Sequence, residues 1–182
     1  MTSPATHSLF TFKDLVLLEL QPDLDFVTVQ ALGKPTWVTQ GIFGGFSLPI
    51  YGADNEELFF TICVPDRWDG TNSLLGHVHC WISQAEDSKN FKLQLTWEYF
   101  VLGSAVPATS TDVEVETATG ASAPQFKSFE VDFPLVPGSL TVNNSLGLRL
   151  RRIAASENEI GGEVVISHLG VLFPRNILGA PV

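Results

Sequence analysis

The feature that most constrains the fold is a series of short runs in which apolar and polar residues alternate. The longest covers residues 91–101, where every second residue from Phe91 to Val101 is apolar and most residues between them are polar. Successive side chains of a β-strand point to opposite faces, so this run predicts a strand with one buried and one solvated face. The same alternation at residues 112–116, 128–133 and 146–151 predicts three further strands.

Turn-forming residues separate these runs at intervals of about 8–15 residues, as expected for an all-β domain. Gly161-Gly162 and Pro137-Gly138 mark two turns, and Gly44-Gly45 predicts a bulge or a close backbone approach within a strand. Residues 14–20 and 26–30 are interpreted as further strands. The sequence therefore predicts an antiparallel β-sandwich, jelly-roll-like, with about ten strands and little or no helix.

The 182 residues fit one domain. We expect an N-terminal arm at residues 1–8, one β-sandwich (jelly-roll) domain at residues 9–173 and an extended C-terminal tail at residues 174–182. The N-terminus has neither the basic segment nor the apolar segment of a secretory signal, and no run of about 20 apolar residues occurs. We therefore expect synthesis in a cytoplasm and no membrane partner.

Charge argues against nucleic acid as a partner. The chain has 20 acidic residues against 10 Lys plus Arg, a net charge of −10, which repels phosphate backbones. Only 16% of residues are charged while 45% are hydrophobic. Two explanations stay open: apolar surface covered by neighbouring subunits, or a well-filled core between two sheets.

Two cysteines, Cys63 and Cys80, lie in neighbouring predicted strands. Buried thiols that act as small hydrophobic residues are the favoured interpretation. A disulfide stays open as the alternative, since adjacent strands would bring the two close together.

His77 and His79 share one face of a predicted strand, so their imidazoles are candidates to bind one metal ion. Jelly-roll metalloenzymes of the cupin type use such a pair with a nearby acid and a distant His. The nearest downstream acid, Glu86, falls in a turn, and nothing in the sequence sets the distance to His168. We therefore interpret the pair as polar strand residues that hydrogen-bond to neighbours and expect neither a metal site nor a cofactor, with a cupin-like metal-dependent enzyme as a third alternative.

Enzymatic signatures are missing from the sequence. No Gly-x-Ser-x-Gly motif occurs, and Cys80 directly follows His79, so on a regular strand the two point to opposite faces. The glycines at 41, 44 and 45 lack the Lys and the following helix of a phosphate-binding loop. A non-enzymatic protein is expected.

Residues 65–70 form a turn that carries a tryptophan between charged side chains. Trp68, flanked by Asp66, Arg67 and Asp69, is the best candidate for surface binding, because a ring can stack on a sugar while carboxylates accept hydrogen bonds from its hydroxyls. The alternative, which we favour, is that Trp68 covers the edge of the sandwich.

Four segments, at residues 64–72, 77–81, 95–99 and 106–115, together resemble jelly-roll structural proteins of tailed-bacteriophage virions. The resemblance covers residues 58–173 and includes proteins of heads and of tails. It implies a virion component, foremost a capsid decoration (cement) protein that binds the outer surface of the head and stabilises it. It also implies a homotrimer with the major capsid protein as partner. A tail-associated protein, or a module that binds receptors or glycans, is the alternative.

Overall fold

The computed structural model describes residues 35–49, 56–65, 73–101, 103–136, 140–142 and 144–174, with Trp68, Gly70 and Gly138. These ranges form nine strands and no helix: β1 (Thr36–Gln40), β2 (Phe43–Leu48), β3 (Glu57–Cys63), β4 (Leu74–Ile82), β5 (Asn90–Phe100), β6 (Thr111–Ala118), β7 (Ser128–Leu135), β8 (Ser145–Ile153) and β9 (Val164–Leu172). Within the described residues, no helix is long and apolar enough to cross a membrane.

The strands form two antiparallel sheets that pack face to face. The five-stranded sheet has the order β1-β2-β9-β4-β7, and the four-stranded sheet has the order β3-β8-β5-β6. The pairs β2–β9, β3–β8, β4–β7 and β5–β6 are nested, as in one long hairpin rolled into two sheets. Strands β2 to β9 therefore have jelly-roll topology, which confirms the predicted fold class.

The core lies between the sheets and follows from the alternation in the sequence. In β5 the side chains of Phe91, Leu93 and Leu95 are fully buried, and Val131 and Phe133 of β7 face them from the other sheet. The inner positions of β8 are Leu146, Leu148, Leu150 and, at its end, Arg152. The predicted strands at residues 91–101, 112–116, 128–133 and 146–151 are all present, with small differences at their ends.

Several predicted segments lie outside the described residues. These are the arm at 1–8, the strands at 14–20 and 26–30, and the tail apart from Pro174. Of the two alternatives predicted at Gly44-Gly45, the bulge is absent, because both glycines pair regularly with β1. The close backbone approach is present at Gly45, where an added Cβ atom would lie 2.5 Å from the carbonyl oxygen of Ile166.

The two cysteines are free, and the strands that carry them belong to different sheets. Cys80 is buried, as expected, whereas Cys63 is exposed, so the prediction of two buried thiols is half wrong. The error arises because Cys63 shares the outer face of β3 with Thr61, which is exposed as well. In addition, β3 and β4 are consecutive in the chain but do not pair. The chain crosses from one sheet to the other between them, so the open disulfide alternative has no support in the structure.

Strand β9 departs from the alternation that its sequence suggests. His79 of β4 pairs with His168, but the next residue, Cys80, pairs with Ile166, so Ser167 is an extra residue in β9. The bulge reverses which residues face the core, because one inserted residue shifts the side-chain alternation. Strict alternation would place His168 on the same face as Ile166; with the bulge, His168 lies on the outer face and Leu169 is buried.

Candidate functional site

Two groups of polar side chains occupy opposite outer faces of the sandwich. The first, which we call the sheet groove, lies on the four-stranded sheet and is centred on Gly147. The second, which we call the histidine cluster, lies on the five-stranded sheet and consists of His77, His79, His168, Glu130 and Asp132.

The position of the sheet groove follows from the strand register. Thr61 of β3, Gly147 of β8 and Glu98 of β5 stand side by side in one cross-strand row. Gly147 has no side chain, so the row is low at its centre. The depression has a volume of about 420 Å³. Its polar and aromatic lining includes Phe59, Thr61, Thr96, Glu98, Ser110 and Arg149.

A hydrogen-bonded network fixes one wall of the sheet groove. In the row beside Gly147, the Arg149 guanidinium donates to Thr96 Oγ1 at 2.9 Å, and the Thr96 hydroxyl donates to Asp112 Oδ1 at 2.6 Å. Glu57 lies at the edge, and its Oε1 is 3.5 Å from a guanidinium nitrogen of Arg149. These contacts therefore fix the position of the Arg149 guanidinium in the absence of a ligand.

The same network continues along the sheet away from the groove. Arg151 donates to Gln94 Oε1 at 2.6 Å, and Gln94 donates to Glu114 Oε1 at 3.0 Å. Glu114 also pairs with Lys92 at 2.7 Å, and these hydrogen bonds lower the pKa of its carboxyl. Gln94 is only 5% exposed although it is on the outer face, because long side chains of neighbouring strands cover it.

The histidine cluster is built by three neighbouring strands. The register places His77 opposite Asp132 and His79 opposite Glu130, while His79 also pairs with His168 on its other side. All five side chains are on the outer face. The interpretation of the two histidines as polar residues that hydrogen-bond to neighbours is confirmed for both. The acids beside the pair are Glu130 and Asp132 of the neighbouring strand, not Glu86.

The hydrogen bond to Asp132 indicates which nitrogen of a neutral His77 ring carries the hydrogen. Nδ1 of His77 lies 2.7 Å from Asp132 Oδ1, and because a carboxylate only accepts, Nδ1 is the donor. In the neutral ring, Nε2 of His77 then carries a lone pair. Nε2 of His79 lies 2.8 Å from it and donates its hydrogen to that lone pair.

The tryptophan turn does not offer a ring to the solvent. Trp68 is 5% exposed and packs edge to face on Phe173, with 6.3 Å between the ring centroids. This contradicts a sugar-stacking role for its ring and agrees with the favoured alternative, a cover over the sandwich edge. Asp66, Arg67 and Asp69 lie outside the described residues, so surface binding by these three stays a prediction.

Sequence reasoning missed the residues that surround both sites. Alternation shows that Glu98, Glu130 and Asp132 face outward, but not which strands are neighbours. Gly147 was the available indication of the groove, because a glycine inside a strand has no side chain to pack and often marks a site where a ligand approaches closely.

The sequence matches no protein-family model and no curated protein. Among solved structures, the chain is similar to the carbohydrate-binding module TmCBM61, determined in complex with beta-1,4-galactotriose. The two are 12% identical with a TM-score of 0.33, and the match covers 74% of this chain and 72% of that one. This is a distant likeness that carries no information about the ligand of the present chain.

Proposed function

We propose that the chain is a non-catalytic binding module that holds a neutral glycan in the sheet groove. The observation that carries the proposal is the groove itself. Its volume of about 420 Å³ falls within the range of about 300–1,000 Å³ typical of small-ligand sites.

The chemistry of the groove suits sugar hydroxyls. Glu98 accepts hydrogen bonds, Arg149 donates them, and the hydroxyls of Thr61 and Ser110 do both. Phe59 supplies an apolar surface for the C–H face of a sugar ring. Because Arg149 is already paired with Glu57 and the chain carries a net charge of −10, an anionic polysaccharide is disfavoured.

The decisive variant is Gly147→Val. A Cβ atom at Gly147 would meet its nearest neighbours, Glu98 Cγ and the Glu98 carbonyl oxygen, at 3.8 and 3.9 Å, which is ordinary contact. A valine also favours the strand conformation, so we expect the variant to fold while its side chain blocks the centre of the groove. A glycan array identifies the glycan that the wild-type protein binds most tightly. Calorimetry with that glycan should then show that Gly147→Val has lost binding.

Two further variants make the test specific. Glu98→Gln should weaken binding, because a charged acceptor is replaced by a neutral one. Glu130→Gln on the opposite face serves as the matched control and should bind the glycan as the wild type does. If Gly147→Val folds and still binds, or if the wild-type protein retains no glycan on the array, the proposal is wrong.

A second candidate, a virion decoration protein, is favoured by one apolar surface. At the tip of the β1–β2 hairpin Ile42 is 97% and Phe43 is 68% exposed, and Trp37 on the same hairpin is 40% exposed. Large exposed apolar side chains grouped together mark interaction sites. This tip is suited to insertion between capsid subunits, and the sandwich would be the rigid body that they hold.

The test of this candidate uses phage capsids that lack the protein. Purified protein should bind them and raise their resistance to heating, whereas an Ile42→Asp/Phe43→Asp variant should not. In solution, light scattering should give the mass of three copies of the 19.8 kDa chain if the predicted homotrimer forms. No binding by the wild-type protein would exclude this candidate and leave the glycan proposal standing.

A further inference from the structure

The histidine cluster contains more than a hydrogen-bonded pair. His77, His79 and Glu130 each offer one ligand atom, and these atoms all lie within 4.8 Å of one another. The two histidines come from one strand and the carboxylate from its neighbour, so the strand register fixes their spacing. We propose that these three side chains form a binding site for zinc or a similar divalent transition metal ion.

The distance between the two imidazoles requires little movement for binding, and the exposed Glu130 carboxylate, whose Oε1 lies 3.7 Å from Nδ1 of His77, completes the set by turning toward Nε2. Zinc holds imidazole nitrogens at about 2.0–2.1 Å, so two of them in a tetrahedron are about 3.4 Å apart. The Nε2 atoms of His77 and His79 are 2.8 Å apart. The rings therefore need to separate by about half an ångström to admit zinc between them.

Asp132 is a positioning residue in this site. Its hydrogen bond to Nδ1 of His77 keeps the proton on that nitrogen and leaves the lone pair on Nε2 directed at the ion. A carboxylate behind a metal-binding imidazole orients the ring and raises its basicity. His79 must release the hydrogen that Nε2 donates to His77, and the neutral ring does so by carrying its proton on Nδ1 instead.

The ligand types restrict the metal class. Two imidazoles with one carboxylate suit zinc, copper, nickel or iron(II), whereas calcium and magnesium prefer ligand sets made of oxygen alone. Three protein ligands leave one tetrahedral position open to water or to a group from another molecule. Since Glu130 is 62% exposed, this open position is accessible from the solvent.

The site is independent of the sheet groove, because it lies on the other sheet. It also differs from the predicted alternative of a cupin-like enzyme. The residues that flank His79 on β4, Val78 and Cys80, are the ones that enter the core, and the imidazoles point away from it. The proposal concerns metal binding only, without an associated reaction.

The experiment is titration of metal-free protein with zinc chloride by calorimetry, together with cobalt(II) as a spectroscopic probe. We expect one zinc per chain and visible cobalt absorption of the intensity typical of tetrahedral coordination. His77→Ala and His79→Ala should abolish both. Asp132→Asn, which keeps the shape but not the charge, should weaken zinc binding by about 10–100-fold.

Glu130→Gln separates loss of metal binding from loss of folding, because the Glu130 side chain is largely exposed and the substitution leaves the core unchanged. It should lose the tetrahedral cobalt spectrum while its thermal unfolding stays that of the wild type. Glu98→Gln on the opposite sheet is the matched control and should bind zinc normally. Equal zinc affinity in the wild type and the His79→Ala variant, or no stoichiometric binding by the wild type, would overturn the proposal.

Discussion

Cys63 and Cys80 illustrate how one residue type takes two environments in this fold. Cys63 is on an outward position of β3, whereas Cys80 is 1% exposed and packs within the core. Burial disfavours the thiolate and raises the pKa of Cys80 from 9.0 to about 12. Since the thiolate is the reactive form, the two cysteines should differ strongly in reactivity.

We predict that the native protein at pH 8 reacts with one equivalent of a thiol reagent, at Cys63, and that a second equivalent reacts only after unfolding. Cys63→Ser should abolish the native reaction, which identifies the site. The raised pKa also makes the stability depend on pH, because the Cys80 thiol ionises less readily in the folded state. Its contribution to the free energy of unfolding is complete below about pH 9, the pKa of the thiol in the unfolded chain, and is lost as the pH rises toward 12. Two fast equivalents in native protein would contradict the burial of Cys80.

Arg152 is a charged residue at an inner position of β8, and its side chain is only 2% exposed. Its guanidinium donates to Glu159 Oε1 at 2.8 Å and to the carbonyl oxygens of Ile160 and Gly162 at 2.9 and 2.7 Å. Burial lowers the pKa of Arg152, while Glu159 opposes this effect. The arginine thus organises the loop between β8 and β9.

We predict that Arg152→Ala lowers the free energy of unfolding by about 3–5 kcal/mol, because it leaves a carboxylate and two carbonyl groups without their donor. Urea denaturation measures the loss. The control is Lys92→Ala, which breaks an ion pair with Glu114 on the outer face and should cost far less, because water screens this exposed pair. Similar losses in the two variants would show that Arg152 is not the organising residue.

At the scale of the strand, the bulge in β9 decides the composition of the histidine cluster. If Ser167 were an ordinary residue of the strand and not the extra residue of a bulge, strict alternation would place His168 on the face of Ile166, in the core. The extra residue is stabilised locally, since the Ser167 hydroxyl donates to the His79 carbonyl oxygen at 3.1 Å. The neighbouring residues Ile166 and His168 both keep regular partners on β4.

Deleting Ser167 should therefore be tolerated. Ile166 would still face Cys80 and His168 would still face His79, now as consecutive residues of a regular strand. We expect cooperative thermal unfolding at a reduced temperature. Deleting Leu169, a regular inward residue, is the control: it reverses the alternation of one half of the strand and should prevent folding. If the two deletions behave alike, the bulge does not set the register.

Alternation of side chains was sufficient to predict the strands and the fold class, since inward positions such as Phe91, Val131 and Leu148 are already apolar in the sequence. It was insufficient for β9, because nothing in Ile166-Ser167-His168 distinguishes a bulge from a regular strand. It also could not show that β4 lies between β7 and β9. Glu130 and His168 are therefore placed beside His79 by long-range pairing, which local patterns do not encode.

At the scale of the whole molecule, the sandwich separates two surfaces. The sheet groove is on the outer face of the four-stranded sheet and the histidine cluster is on the outer face of the five-stranded sheet, with the filled core between them. A ligand that binds only the folded state raises its stability by an amount set by its concentration and affinity. Two sites that share no residues should contribute independently to the free energy of unfolding, because interaction energies arise mainly between groups in contact.

We therefore predict that zinc raises the unfolding temperature of Gly147→Val as much as that of the wild type, relative to each protein without metal. The groove variant changes a residue of β8, which pairs with β3 and β5 but with no strand of the histidine cluster. Calorimetric scans with and without zinc measure both shifts, and His77→Ala, which should show no shift, is the reference for non-specific effects. A smaller shift in Gly147→Val would mean that the two faces communicate through the core, so that the jelly roll couples the two surfaces instead of separating them.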